Sequence, residues 1–253
     1  MYTLQVSNKL ASLIRTLRKK EYRQQHNLFL AEGEKICSEL LSSTYETEFI
    51  VLRERATDNV NNIAESFAQR GISVYSAHEK QFQSLSDTKN PQGIFALVKI
   101  KEDKPIRTEN FIALDSISDP GNVGTIIRTA DWFGFKQLIL SDNCADKYNP
   151  KTVRSTMGSL FRCSVIYVSR LADYLRDNFL KHLIYGATLR TNNKLEDISP
   201  ESKYGLVFGN EAKGISPSVL KILTKEFRIE GGGSESLNVA VAAGIAMYGF
   251  YRK

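Results

Sequence analysis

Six runs from Phe111 onward read as strands, and all but the last hold at least three consecutive apolar residues where a half-buried strand would alternate. They are "FIALDSI" (111–117), "QLILSD" (137–142), "SVIYVS" (164–169), "HLIYGATL" (182–189), "YGLVFGN" (204–210) and "EFRIEG" (226–231). Such strands have no face to give to water and belong in a sheet covered on both sides. Helical patterns separate most of them, starting near Val123 and covering 150–158, 171–181 and 217–223. Strands joined by helical crossovers pair in parallel, so the pattern predicts an α/β domain on a parallel sheet.

The first hundred residues alternate in the same way. "NKLASLIRTLRKK" sets Leu10, Leu13, Ile14 and Leu17 on one face of a single helix. Strand-like "NLFLAEG", "TEFIVLRE", "ISVYSA" and "GIFALVKI" are separated by helix-like "GEKICSELLSS", "NVNNIAESFAQRG" and "EKQFQSLSD". "KEDKPIRTEN" (101–110) is charged, carries Pro105 and has no apolar face, which marks a linker. The expected organisation is a smaller α/β domain over 1–104 followed by a larger one over 105–253.

Composition narrows the partners. With 42% apolar and 25% charged residues the chain reads as a soluble globular protein. No apolar run approaches the roughly 20 residues that span a bilayer. The amino terminus lacks the basic, apolar, small layout of a secretion signal, so a cytoplasmic location without a membrane partner is expected. Cys37, Cys144, Cys163 and the 3 histidines are scattered, and no metal site can be read from them. The net charge of +6 is uneven: Lys9, Arg15, Arg18, Lys19, Lys20 and Arg23 are opposed only by Glu21 between positions 9 and 23. Such a cluster attracts phosphate backbones, but a solvated helix face carries the same pattern, and both readings stand at this point.

Ligands of open parallel sheets bind beyond the carboxyl ends of the strands. Three unusual loops fall there: "DPGNVGTIIRT", "FGNEAKGIS" and "EGGGSESLN", the last leading into a helix rich in small residues. None carries the GxGxxG or GxxxxGK[ST] fingerprint of a nucleotide phosphate site, which leaves a nicotinamide-dependent oxidoreductase without support. A GxSxG nucleophile elbow is absent too.

"NVGTIIRTADWFGF", "LVFGNEAKGIS" and "SESLNVAVAAGIAMYGF", in this order, resemble the three motifs of the SpoU/TrmH branch of the SPOUT RNA methyltransferases. "NPKTVRSTMGSLFR" is similar to the segment that connects the first two, and the resemblance covers 111–253. The first hundred residues, notably "FLAEGEKICSELL", resemble the RNA substrate-binding domain that often precedes this catalytic domain. The resemblance implies a SPOUT domain with a deep carboxyl-terminal trefoil knot. It also implies a homodimer that methylates a ribose 2′-hydroxyl of RNA with S-adenosyl-L-methionine. Knots are nearly absent from proteins, so only the resemblance implies one. The small residues Ala240, Ala242, Ala243, Gly244, Ala246 and Gly249 suit the close packing it requires. Ribosomal RNA is the expected substrate, because the amino-terminal region resembles that of rRNA-modifying members. A tRNA methyltransferase and a non-catalytic RNA-binding or ribosome-assembly factor of the same fold are the alternatives.

By the same resemblance Arg128 is the catalytic activator and Asn122 and Glu211 order the active-site loops. Ser236 and Asn238 flank the substrate ribose, although both residue types are also ordinary helix caps. Thr188, Leu189, Gly209, Ile229 and Leu237 would line the cofactor pocket, several of them through their backbone. Arg15, Arg18, Lys19 and Arg154 are the candidate RNA contacts, with Arg154 equally suited to an unremarkable surface position. One departure stands out. Family members usually continue Ile-Pro and then Met before the third glycine turn, whereas here Ile229 is followed by Glu230 and Gly231 in a loop one residue shorter. That change bears on cofactor affinity.

Overall fold

Residues 3–200, 202–232 and 236–251 are described by a computed structural model of the chain. They form two units, one holding the residues up to Glu102 together with Tyr148–Phe161, the other Asp103–Lys147 and the residues from Arg162 onward.

The first unit runs β1 (Leu4–Gln5), α1 (Asn8–Thr16), α2 (Lys20–His26), β2 (Leu28–Glu32), α3 (Glu34–Leu41), β3 (Thr47–Arg53), α4 (Asp58–Ala68), β4 (Ser73–Ala77), α5 (Glu79–Leu85) and β5 (Ile94–Lys99). Its sheet has the order β1-β4-β3-β5-β2, with β5 antiparallel to both neighbours. Ile14, Leu17, Phe82, Leu85, Phe95 and Leu97 are among the buried side chains of one core cluster. The helix expected across positions 8–20 is two helices, and Arg23 supplies the reason. Its buried guanidinium donates to the carbonyls of Leu17 and Arg18, both at 2.9 Å, and so satisfies chain that has stopped being helical. Arg15 donates to Ser84 Oγ at 3.0 Å, and Arg18 to the carbonyls of Ser84 (3.1 Å) and Ser86 (2.6 Å) at the end of α5. A cation there also complements the helix dipole.

The later segment of this unit carries α7 (Pro150–Thr156). Tyr148 stacks on Phe29 with ring centroids 4.5 Å apart and donates its hydroxyl to the Lys101 carbonyl at 2.7 Å. Arg154 lies 3.1 Å from Asp87 and 4.0 Å from Glu32. Glu32 is a buried carboxylate that also accepts from Ser86, Thr88 and the Asp87 amide.

In the second unit the strands are β6 (Phe111–Asp115), β7 (Gln137–Ser141), β8 (Ser164–Val168), β9 (Leu183–Ala187), β10 (Tyr204–Gly209) and β11 (Lys225–Phe227). Its helices are α6 (Pro120–Trp132), α8 (Leu171–Asn178), α9 (Pro217–Leu220) and α10 (Val239–Tyr251). The sheet is parallel throughout, in the order β11-β9-β10-β6-β7-β8. Every residue of β6 and β7 is buried, the apolar centres by their chemistry and the polar ends Asp115, Gln137 and Ser141 with hydrogen-bond partners. The charged segment before β6 is tied to this unit. Asp103 and Lys147 form a buried ion pair of 2.7 Å, and Gln137 accepts the Ile106 amide at 2.5 Å.

Burial pushes the thiols of Cys37, Cys144 and Cys163 up, Cys163 to about 12, so all three are inert at neutral pH. Among the described residues no helix is long and apolar enough to cross a membrane, and no cluster of His, Cys, Asp or Glu could hold a metal ion.

Gly205, the second residue of β10, sits beneath the Phe111 ring, which is itself held 4.2 Å from Phe179. A Cβ at this position would stand 2.0 Å from Phe111 Cζ. Gly205→Ala is therefore expected to cost about 1–3 kcal/mol through overpacking, read as a lower urea midpoint of this unit. An unchanged midpoint would show that the ring can move aside.

Candidate active site

The strand order reverses direction at the centre of the sheet, where β6 lies between β10 and β7. The crevice beyond the carboxyl ends at such a point is the usual ligand position in open α/β sheets. The segments that follow β6, β9, β10 and β11 meet there.

The segment after β6 was expected to be a glycine loop reaching Val123. Instead α6 begins three residues earlier, at Pro120. Asp119 accepts the Asn122 amide at 2.9 Å as N-cap, and Pro120 stands at a position where a missing N–H costs nothing. Asn122 is thus in the first turn of a helix, with a fixed side-chain direction. Its Nδ2 donates to Glu211 Oε1 at 2.8 Å, and its Oδ1 accepts from Asn238 Nδ2 at 3.0 Å. Asn238 Oδ1 in turn accepts the amides of Ala240 (2.9 Å) and Val241 (3.3 Å), which caps α10. A chain of side-chain hydrogen bonds therefore joins all three sequence motifs.

A second tie was not read from the sequence. Buried Asp115, the last residue of β6, accepts the Ser216 amide at 2.8 Å, and Asn210 donates to the Ser116 carbonyl at 2.9 Å. Asn210 Oδ1 also accepts the amides of Ala212 and Lys213, so it shapes the turn that carries Glu211. The signal was a carboxylate closing an otherwise apolar strand, which sequence alone does not separate from a solvated strand end.

Around these ties lies a cavity of about 550 Å³. Thr188, Leu189, Gly209, Ile229 and Leu237, the five residues expected to meet the cofactor, all line it, and so do Glu211 and Ser236. Its size is that of a site for a drug-sized molecule. Among the described residues the backbone groups of Leu189, Ile229 and Leu237 make no hydrogen bond within the chain. Free amides and carbonyls in an apolar wall fit the alternating donors and acceptors of a purine such as the adenine of S-adenosylmethionine. Thr188 is already engaged, its hydroxyl donating to Glu226 at 2.7 Å.

Asn122 and Asn238 are not on the cavity wall, and Asn122 reaches it through Glu211. Arg128 stands apart. It is exposed on α6, off the cavity, and its side chain makes no hydrogen bond or ion pair among the described residues. The candidate RNA contacts fall in the first unit, and three of them are occupied. Arg15 and Arg18 hold α5, and Arg154 faces Asp87 and Glu32. Lys19 is exposed.

The sequence profile of the SpoU rRNA Methylase family matches residues 109–248, and that of the MRM3-like substrate binding domain matches residues 8–96. The chain is 33% identical over 235 residues to the 23S rRNA (guanosine(2553)-2′-O)-methyltransferase RlmP of Bacillus subtilis, covering 92% of both chains. The rRNA methyltransferase of Sinorhizobium meliloti, solved with S-adenosylmethionine bound, superposes with a TM-score of 0.86 at 28% identity, over 99% of this chain and 97% of that one. At 24% identity, the likeness to the SpoU methyltransferase AviRb of Streptomyces viridochromogenes bears on the fold alone. Its TM-score is 0.84, over 97% of this chain and 98% of that one.

The junction at Asn122 has a pH-dependent consequence. Asn122→Asp sets two carboxylates at hydrogen-bond distance, and the proton they share titrates above an ordinary carboxylate. Because the folded pKa is raised, the penalty is present when both groups are ionised and relieved as pH falls through that pKa. The variant's stability should drop below wild type from mildly acidic to neutral buffer, whereas Asn122→Ala should show no such slope. Parallel pH profiles for the two variants would contradict the assigned contact.

Proposed function

We propose a division of labour for a chain that belongs to the SpoU rRNA methylase family and transfers a methyl group from S-adenosylmethionine to a ribose 2′-hydroxyl of RNA. The reading rests on one observation above others: the Glu211–Asn122–Asn238 chain ties the three motifs beside a donor-sized cavity. The substrate is ribosomal RNA, supported by the rRNA named for the relatives and by the MRM3-like domain at residues 8–96. The place of work is the cytoplasm, where ribosomes are assembled.

Bound S-adenosylmethionine supplies an electrophilic methyl group on a sulfonium. Leu189, Gly209, Ile229 and Leu237 hold it from the cavity wall, and Ser236 and Asn238 flank the ribose. Asn122 and Glu211 keep the loops in register. The 2′-oxygen must gain nucleophilicity as its proton leaves, yet Arg128 cannot accept that proton, because a guanidinium stays charged at any physiological pH. Its role is to stabilise the developing alkoxide and grip the adjacent phosphate, whose oxygen takes the hydroxyl proton and relays it to water as the methyl group moves from the sulfonium to the 2′-oxygen.

For that, Arg128 must meet a cavity it does not line in its own chain. The helix α10 is apolar on all sides, which suits a helix buried all round. Yet Val241 (50%), Tyr248 (49%) and Tyr251 (66%) are exposed on it, and Trp132 on α6 is 83% exposed. Gly244 brings α10 close to α6, a Cβ there standing 3.7 Å from Thr129 Cγ2. Arg128 lies one turn from Trp132 on the exposed side of α6. A second copy of the chain covers this face in a two-fold homodimer and receives Arg128 at its own site. The trefoil knot belongs to the same reading, supported by the small residues of α10.

Total RNA from cells with and without the gene, compared by primer extension at limiting dNTP, is expected to lose one stop in ribosomal RNA. A stop lost only from tRNA would overturn the substrate. Arg128→Ala should bind S-adenosylmethionine almost as wild type and lose most single-turnover methylation at saturating donor and RNA. Arg128→Lys should be nearly as poor, because an ammonium does not reproduce the planar fork. Near-normal single-turnover rates in Arg128→Ala would remove it from the mechanism.

A further inference from the structure

The turn after β11 is a wall between two cavities. Ile229 and Glu230 line the donor cavity on one side. On the other they face an open cavity of about 510 Å³ whose lining includes Lys194, Leu195, Ile245 and Tyr248. Little holds this wall in place. Upstream it is tied by a parallel bridge between Lys194 and Arg228. There the Leu195 amide donates to the Arg228 carbonyl at 3.0 Å, and the Arg228 amide to the Asn193 carbonyl at 2.9 Å. Downstream come Gly231 and Gly232, both exposed, with nothing within 4 Å of where a Cβ would stand. The Ile229 backbone has no partner in the chain among the described residues.

One side chain spans the gap. Glu230 Oε1 lies 3.2 Å from Lys194 Nζ and 3.9 Å from Arg228 Nη2. Glu196 lies at the longer distance of 3.7 Å, and Asp197 adds a further negative charge nearby. Donating to the Glu230 carboxylate holds the pKa of the Lys194 ammonium above its ordinary value, which agrees with Glu230 being its principal partner.

We propose that Glu230 is a positioning residue for the methyl donor, its ion pair with Lys194 pinning the Ile229–Glu230 turn against the donor cavity. The proposal rests on the reading that this cavity holds S-adenosylmethionine. An exposed ion pair adds little to a rigid surface, but here it restrains a segment whose following residues are glycines, the residues that lose most freedom on ordering. Ordering that the pair does not supply must come from the donor's binding energy. Charges this exposed are also screened by salt, with a Debye length of about 10 Å at 0.1 M and 3 Å at 1 M. Donor affinity should therefore respond to ionic strength through this pair.

The test is calorimetry of S-adenosylmethionine, without RNA, on wild type, Glu230→Gln, Lys194→Gln and the double variant, in low and high salt. Wild type is expected to bind more weakly as salt rises. Glu230→Gln should bind about two- to fivefold more weakly in low salt, the range of an exposed pair, and should lose most of the salt response. The double variant should be no worse than Glu230→Gln. In steady-state assays the loss should fall on KM for the donor more than on kcat. Wild-type affinity and salt response in Glu230→Gln would overturn the proposal, as would losses that simply add in the double variant. If wild type itself fails to bind the donor, the reading of the cavity fails instead.

Discussion

The site depends on one primary amide. Asn122 both donates and accepts, so it joins a carboxylate on one side to another amide on the other, which neither Asp nor Leu could do. Its position is set by where α6 begins, fixed by the Asp119 cap and the proline after it. Each partly exposed hydrogen bond contributes only about 1 kcal/mol net. The three loops are thus held in register by a small free energy, and ligands share in completing the arrangement. The tie from buried Asp115 to Ser216 is better shielded and steadies the second loop independently.

Charge on the sequence and charge available to a partner are different quantities. In the sequence, the basic run from Lys9 to Arg23 reads either as a phosphate-binding face or as a solvated helix face. Folded, Arg15 and Arg18 hold the end of α5, and Arg23 is buried under the end of α1. Arg154 faces two carboxylates of its own unit. Arg15 and Arg18 stay exposed beside Lys9, Lys19 and Lys20, but their guanidinium groups are held in place on α5. Arginines near a helix end are readily recruited to free carbonyls, because a planar fork meets several acceptors at once.

Much of the architecture was legible because it follows from burial. Strands with contiguous apolar centres forecast the parallel sheet, and the loops at their ends forecast the crevice. Boundaries set by a single side chain were not legible. The early start of α6 follows from a cap and a proline, and the break after α1 from one arginine. The packing of α7 with the first unit depends on contacts of Tyr148 and Arg154 far away in sequence. The tie at Asp115 was hidden for the same reason, since its partner lies about a hundred positions further on. An apolar periodicity reports which face is buried and not what covers it, and α10 shows the limit. Its sequence demands cover on all sides, and one chain covers only part of it.

The central claim is that a site organised by Asn122 in one copy is completed by Arg128 of another. It is tested most directly by mixing two inactive variants, Arg128→Ala and Asn122→Ala, after dissociation and reassembly. If Arg128 acts across the interface, half of the randomly formed dimers carry one intact site, and methylation should return to about a quarter of the wild-type level. If Arg128 and Asn122 serve the same site from one chain, every mixed dimer has two damaged sites. The mixture would then stay as inactive as its components, and the account would be wrong.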